Sequence, residues 1–161
     1  MEFPVQTPHP RGSADDPRRR TAHDGLWGRT RIPRHGGGDG GWPTAGGNLY
    51  NQRYSPLAEI SRDNVQSLKG VWRTHLNGSG MGDKYSGEAQ PIVHDGVVYI
   101  VTGADDVFAI SVETGETLWV YEANLDQNID TVCCGWTSRG VGLSSDKVFV
   151  GQLDTQLVAL D

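Results

Sequence analysis

The chain has 161 residues, enough for one domain of ordinary size, and a formal net charge of −6 that excludes the basic face a general nucleic-acid binder needs. Its 22 glycines and eight prolines, set among short apolar runs, favour a turn-rich β fold over a helical one. No apolar run approaches the roughly 20 residues of a membrane span, and two adjacent cysteines supply neither a multi-bridge framework nor the Cys-x-x-Cys pair of a zinc site.

Charge divides the chain. Residues 1–40 carry seven arginines against five acids, whereas residues 41–161 carry seven bases against fifteen acids. The segment 1–41 is rich in Pro, Arg and Gly, with Arg18-Arg19-Arg20 and Gly36-Gly37-Gly38 and no apolar period, so it cannot offset its own ordering entropy and is expected to be disordered. The apolar stretch of roughly 7 to 15 residues that an export signal requires does not follow the arginines. No signal peptide is therefore read here.

Order is expected from Trp42 onward. The run 42–57 mixes aromatics with turn formers and reads as an irregular segment pinned by its rings. Ser61 to Leu68 has the look of a short helix, with Ser61 or Asp63 as cap and Ile60, Val65 and Leu68 turned inward. Val71 to Leu76 alternates as a strand. Strands are then expected at 89–93, 97–101, 107–111 and 117–121, with His94-Asp95-Gly96 as a hairpin turn, Asp-Gly between two β-rich runs being the strongest short hairpin signal. Together they make one antiparallel meander.

A second copy follows at a period of fifty residues. Val98-Tyr99-Ile100 falls on Val148-Phe149-Val150, and residues 107–111 fall on 157–161 without a gap. Repetition at 40 to 50 residues with about four strands per unit is the mark of a β-propeller blade. The second copy stops at Asp161, inside a blade, which leads to the expectation of a piece of a longer protein. The aromatic set Trp72, Tyr99, Phe108, Trp119 and Tyr121 fits interior or blade-docking positions.

Both cysteines lie in Thr131-Val132-Cys133-Cys134-Gly135-Trp136-Thr137-Ser138-Arg139-Gly140. Adjacent cysteines can bond to each other, giving a rigid, polarizable sulfur plate across a distorted or cis peptide. They can equally stay reduced on opposite faces of a strand. Residue types alone leave both open. Trp136 is near enough in sequence to pack beneath the pair. The five histidines have no ligand spacing.

From Trp42 to Asp161 the chain resembles the N-terminal part of the pyrroloquinoline-quinone (PQQ) dependent alcohol dehydrogenases of the methanol and ethanol dehydrogenase type. The resemblance is carried by Trp42-Pro43-Thr44 with Asn48, by 51–57 and 61–65, by Gly87-Glu88-Ala89-Gln90-Pro91-Ile92-Val93, by Ala109 to Trp119, which is similar to that family's tryptophan-docking motif, and by Cys133-Cys134 with Arg139-Gly140-Val141. It implies an all-β fold, one or two four-stranded blades of a propeller that is eight-bladed at full length, with 1–41 outside it. It implies that Cys133 and Cys134 form a vicinal disulfide against one face of PQQ, that Arg139 meets the quinone's polar edge, and that Glu88 hydrogen-bonds a cofactor carboxylate or its surroundings. Glu88 alone also reads as a surface residue at a strand entrance.

The implied reaction is oxidation of a small alcohol to an aldehyde or ketone, with calcium or a lanthanide ion as Lewis acid and a c-type cytochrome or quinone as electron acceptor, in the periplasm. By the same resemblance the metal ligands and the catalytic aspartate lie downstream, so this piece alone is expected to be inactive. Asp130, Asp146, Asp154 and Asp161 are read as turn or docking residues. Gln90 and Ser138 depart from the family's usual threonine and asparagine. A non-catalytic propeller scaffold with incidental cysteines is the alternative.

Overall fold

The structure is a computed structural model that describes residues 5–6, 41–130, 132–144 and 146–161. Among the described residues, ten strands and one turn of 3-10 helix make up the regular structure. A two-residue strand, β1 (Val5–Gln6), lies in the stretch read as disordered. The rest of that stretch, 1–4 and 7–40, lies outside the described residues.

The meander forms as the sequence implies. Strands β3 (Ile92–His94), β4 (Val97–Val101), β5 (Val107–Ser111) and β6 (Thr117–Tyr121) make one antiparallel sheet in chain order. Asp95 and Gly96 both hold positive φ, 47° and 74°, the primed geometry that matches the twist of a tight hairpin. The second unit contains β8 (Gly142–Ser144), β9 (Lys147–Gly151) and β10 (Leu157–Leu160). Its cross-strand register repeats that of the first at fifty residues: Ile92 faces Tyr99 as Gly142 faces Phe149, and Val98 faces Ile110 as Val148 faces Leu160. The repeat is therefore structural as well as sequential. The outer edge differs, since β10 takes β1 in parallel where β5 takes β6 antiparallel.

Side chains alternate between two cores, as a period of two requires. Tyr99, Val101, Val107, Ala109 and Tyr121 pack on Val148, Val150, Val158 and Leu160 of the second unit. Phe108, Ile110 and Val120 turn the other way, with Leu76, Val98 and Ile100 against them. Each fully buried side chain of this kind contributes about 1.5 to 3 kcal/mol, so the junction between the two units is the principal source of cohesion. Trp72 docks on the first sheet from outside: its Nε1 donates to the carbonyl of Val112 at 2.7 Å. Its ring lies so close that a Cβ on Gly115 (φ 73°) would stand 2.6 Å from Cδ2.

Two expected elements are absent. The helix over 61–68 contracts to one 3-10 turn, Val65–Ser67, and Ile60, Val65 and Leu68 are exposed. Asn64 explains why: its Oδ1 accepts from the Ser61 N–H at 2.7 Å and its Nδ2 donates to the Glu59 carbonyl at 2.7 Å, closing a local turn that competes with helix. The strand over 71–76 does not form: no neighbouring strand among the described residues pairs with it, and Val71 is 90% exposed. Alternation alone does not make a strand without a ladder.

Candidate functional site

Antiparallel strands alternate direction, so one end of the sheets collects the segment entering β3, the turn at 102–106, the corresponding turn at 152–156, and the 122–141 connection between β6 and β8. The candidate residues lie at this end. They are organised by a short parallel ladder that the sequence does not suggest: β2 (Tyr85–Ser86) beside β7 (Trp136–Thr137), with Tyr85 facing Trp136 and Ser86 facing Thr137.

Two residues beyond each strand stand Glu88 and Arg139. Arg139 Nη2 lies 3.2 Å from Glu88 Oε2, and Ser86 Oγ donates to Glu88 Oε1 at 3.2 Å. The Gln90 N–H donates to the Arg139 carbonyl at 3.2 Å, so backbone and side chains are both joined. Because the Arg139 side chain is 82% exposed, the ion pair contributes about 1 kcal/mol or less to stability. Its consequence is orientation, with guanidinium N–H groups left facing solvent.

At the other end of β7 the cysteines take the bridged alternative. Cys133 and Cys134 form a disulfide, are both exposed, and have Cα atoms 3.8 Å apart, the spacing of a trans peptide. Of the two peptide forms expected from the sequence, the cis one is not seen: no cis bond occurs among the described residues. Gly135 follows with φ 85°, and a Cβ there would stand 2.9 Å from the Lys84 carbonyl. That carbonyl accepts the Trp136 N–H at 2.5 Å. Trp136 is buried, its Nε1 donating to the Ile129 carbonyl at 3.2 Å and its ring meeting Tyr85 edge-on at 5.6 Å. Lys84 Nζ sits 4.1 Å from the Trp136 ring centroid and donates to Gln127 Oε1 at 2.6 Å, the atom that also receives the Tyr85 hydroxyl.

Ser138, just before Arg139, is buried and bonds the Asp105 carboxyl. Asp105 Oδ2 also accepts the Leu153 N–H at 2.7 Å, so this one carboxyl ties the site strand to the turns of both units. Burial pushes the Asp105 pKa up, the Leu153 and Ser138 hydrogen bonds oppose the rise, and the charges of Asp154 and Asp106 add to it. Burial likewise raises Tyr121, whose hydroxyl accepts from Gln152 Nε2 at 3.2 Å. Among the described residues, Thr137 Oγ1 is buried with no hydrogen-bond partner. A cleft of about 280 Å³ opens by Tyr85, Ser79, Asp106 and Gln127 and includes none of the four candidate residues.

The structure thus joins Glu88 to Arg139 and Cys133 to Cys134, and links the two pairs through β2 and β7. Sequence reasoning singled out Trp136 only as a neighbour and did not find Lys84, Tyr85, Asp105 or Thr137. The signal for Asp105 was the Asp105-Asp106 pair at a hairpin turn; nothing local marks Lys84. The groups at this end that are open to a ligand are the exposed sulfur pair and the solvent-facing guanidinium, one a flat surface for a ring and the other a set of donors for oxygen atoms.

A four-stranded antiparallel sheet whose strand register recurs fifty residues on in β8, β9 and β10 defines a β-propeller segment, with the disulfide and Arg139 on either side of β7. Residues 42–161 match the family model described as PQQ glucose/ethanol/alcohol dehydrogenase, beta-propeller domain. The chain belongs to this family. It is 43% identical over 119 residues to 1-butanol dehydrogenase (quinone) of Thauera butanivorans, covering 73% of this chain and 18% of that protein. The crystal structure of quinohemoprotein alcohol dehydrogenase from Comamonas testosteroni superposes with a TM-score of 0.70 at 34% identity, over 88% of this chain and 20% of that one. A europium-containing methanol dehydrogenase superposes at 0.65 with 27% identity, over 75% and 21%. The chain spans about a fifth of the length of these relatives.

Proposed function

We propose that the chain forms the first blades of a PQQ-dependent alcohol dehydrogenase that oxidises a small alcohol to an aldehyde or ketone, and that it contributes one wall of the cofactor site. The observation that carries this reading is the exposed Cys133–Cys134 disulfide at the same end of the propeller as the Arg139–Glu88 pair. Bound PQQ and its metal ion, calcium or a lanthanide, supply a two-electron acceptor polarised by a Lewis acid. The disulfide offers a flat, rigid surface for a ring system. The Arg139 guanidinium presents a fork of donors to oxygen atoms at the ring edge. Glu88, itself held by Ser86, fixes the direction of that fork.

The metal ligands and the aspartate that takes the alcohol proton come from outside this chain, so residues 1–161 alone are inactive. The whole protein passes electrons to a c-type cytochrome or a quinone and works in the periplasm, where an oxidising compartment preserves an exposed disulfide. No helix among the described residues is long and apolar enough to cross a membrane. The test is direct: equilibrium binding of PQQ with calcium to the complete protein, in wild type, Cys133→Ser/Cys134→Ser and Arg139→Ala forms. Loss of at least tenfold in affinity in both variants is expected. Undiminished binding in both would refute the wall, and absence of binding in the wild type would favour the scaffold reading.

A further inference from the structure

We propose that Lys84 and Trp136 form a clamp that holds the Cys133–Cys134 turn in the conformation in which the sulfurs are bonded, making both of them positioning residues for the disulfide wall. The inference deepens the reading above and depends on it for its meaning, but not for its test.

The cysteine side chains are exposed and do not anchor themselves in the core. The anchor is the next large residue. Trp136 is 2% exposed, and it is gripped at three points: its backbone N–H by the Lys84 carbonyl at 2.5 Å, its indole N–H by the Ile129 carbonyl at 3.2 Å, and its ring by Lys84 Nζ at 4.1 Å. Lys84 therefore holds both the main chain and the ring of the same residue. Its ammonium is in turn fixed by Gln127 Oε1, so it cannot swing off the ring without losing a hydrogen bond. Gly135 completes the fit, because the Lys84 carbonyl lies too close for any side chain there.

Such a clamp has a chemical consequence. In the dithiol, two neighbouring side chains sample many rotamers, and in the disulfide they are confined to one turn geometry. Whatever holds that geometry favours the bonded form, and its loss shifts the equilibrium toward the dithiol. No distance to the sulfurs is needed for this coupling, since the turn itself carries it.

The test is the thiol–disulfide equilibrium of the 161-residue chain against dithiothreitol at pH 7, quenched by alkylation and read by mass. Dithiothreitol supplies two electrons and two protons, the Cys133–Cys134 bond breaks to two thiols, and the reagent closes to its cyclic disulfide. Lys84→Met and Trp136→Phe are expected to be about tenfold easier to reduce, equivalent to about 30 mV. Lys84→Arg, which restores a cation over the ring, is expected to stay within about twofold of wild type. Thermal melting is measured in parallel. If Lys84→Met lowers the melting temperature while the equilibrium stays put, or if Lys84→Arg behaves like Lys84→Met, the clamp is only structural and the proposal is overturned. Failure of the complete protein to bind PQQ would sink the proposed function and leave this equilibrium untouched.

Discussion

Gly103→Ala tests how the site is seated on the first sheet. A Cβ at Gly103 would stand 2.7 Å from the Trp136 carbonyl oxygen and 3.0 Å from both the Ser86 nitrogen and oxygen. Ordinary contact begins at 3.4 Å, so the Trp136 oxygen is 0.7 Å inside that limit. All three atoms are backbone of the β2–β7 ladder and cannot rotate away; the ladder must retreat, carrying Glu88 and Arg139 with it. Overpacking of this kind costs about 1 to 3 kcal/mol, and in a chain of this size each kcal/mol lowers the melting temperature by about 2 to 4 °C. A fall of about 2 to 12 °C is expected in a thermal melt followed by near-ultraviolet circular dichroism. Gly87→Ala is the control, because nothing lies within 4 Å of the added carbon. The outcome has a definite sign: Gly103 does not occupy the left-handed region, so without the close approach an alanine would stabilise the chain by about 0.4 to 1 kcal/mol through its unfolded state. A Gly103→Ala chain melting at or above wild type would refute the packing described.

Three further outcomes are expected. Gly115→Ala places a side chain at φ 73° against Trp72 and should cost about 2 to 4 kcal/mol in urea unfolding, whereas Trp72→Phe, which chiefly removes the bond to Val112, should cost about 1 kcal/mol; equal losses would discount the steric part. Asp105 has a folded pKa raised above its ordinary 3.8, so the native state binds its proton first and stability from this group rises as the pH is lowered through the raised value toward 3.8; the melting temperature of wild type minus Asp105→Asn should climb over that interval, and a flat or falling difference would contradict it. Glu88→Gln should change stability by less than about 1 kcal/mol, as the pair is exposed, yet weaken PQQ binding by the complete protein; an unaltered affinity would remove Glu88 from the site.

The fold was legible wherever a ladder is closed within the chain. Asp95-Gly96 fixed one hairpin, and the fifty-residue period set the cross-strand pairs of both units. Trp72 was recognised as a docking residue from its type, although the glycine it meets lies 43 positions away. Helix and strand over 60–76 were misjudged for a shared reason: apolar spacing reports what a segment could bury, while Ile60, Val65, Leu68 and Val71 find nothing to bury against among the described residues. The cysteine pair was singled out from its residue types, Glu88 and Arg139 through family resemblance, and Lys84 was not singled out at all. Its contribution comes from a main-chain carbonyl and an ammonium that reach Trp136 across 52 positions, and no local pattern encodes such a contact.

The repeat also explains why the site lies where it does. Strands in the two units are interchangeable in register, but the turns are not: Gly103 corresponds to Leu153, and Asp105 (φ 61°) to Thr155 (φ 72°). The left-handed backbone is kept at 105 and 155 while the side chains diverge. In the first unit the glycine admits the β2–β7 ladder to within 3 Å of its own Cα substituent position, and the aspartate reaches across to the Leu153 N–H. A leucine at 103 would occupy the space that Ser86 and Trp136 fill. The ladder bearing Glu88 and Arg139 can therefore seat only on the first turn, and the conserved strand register beneath it leaves the turns free to differ without disturbing the core.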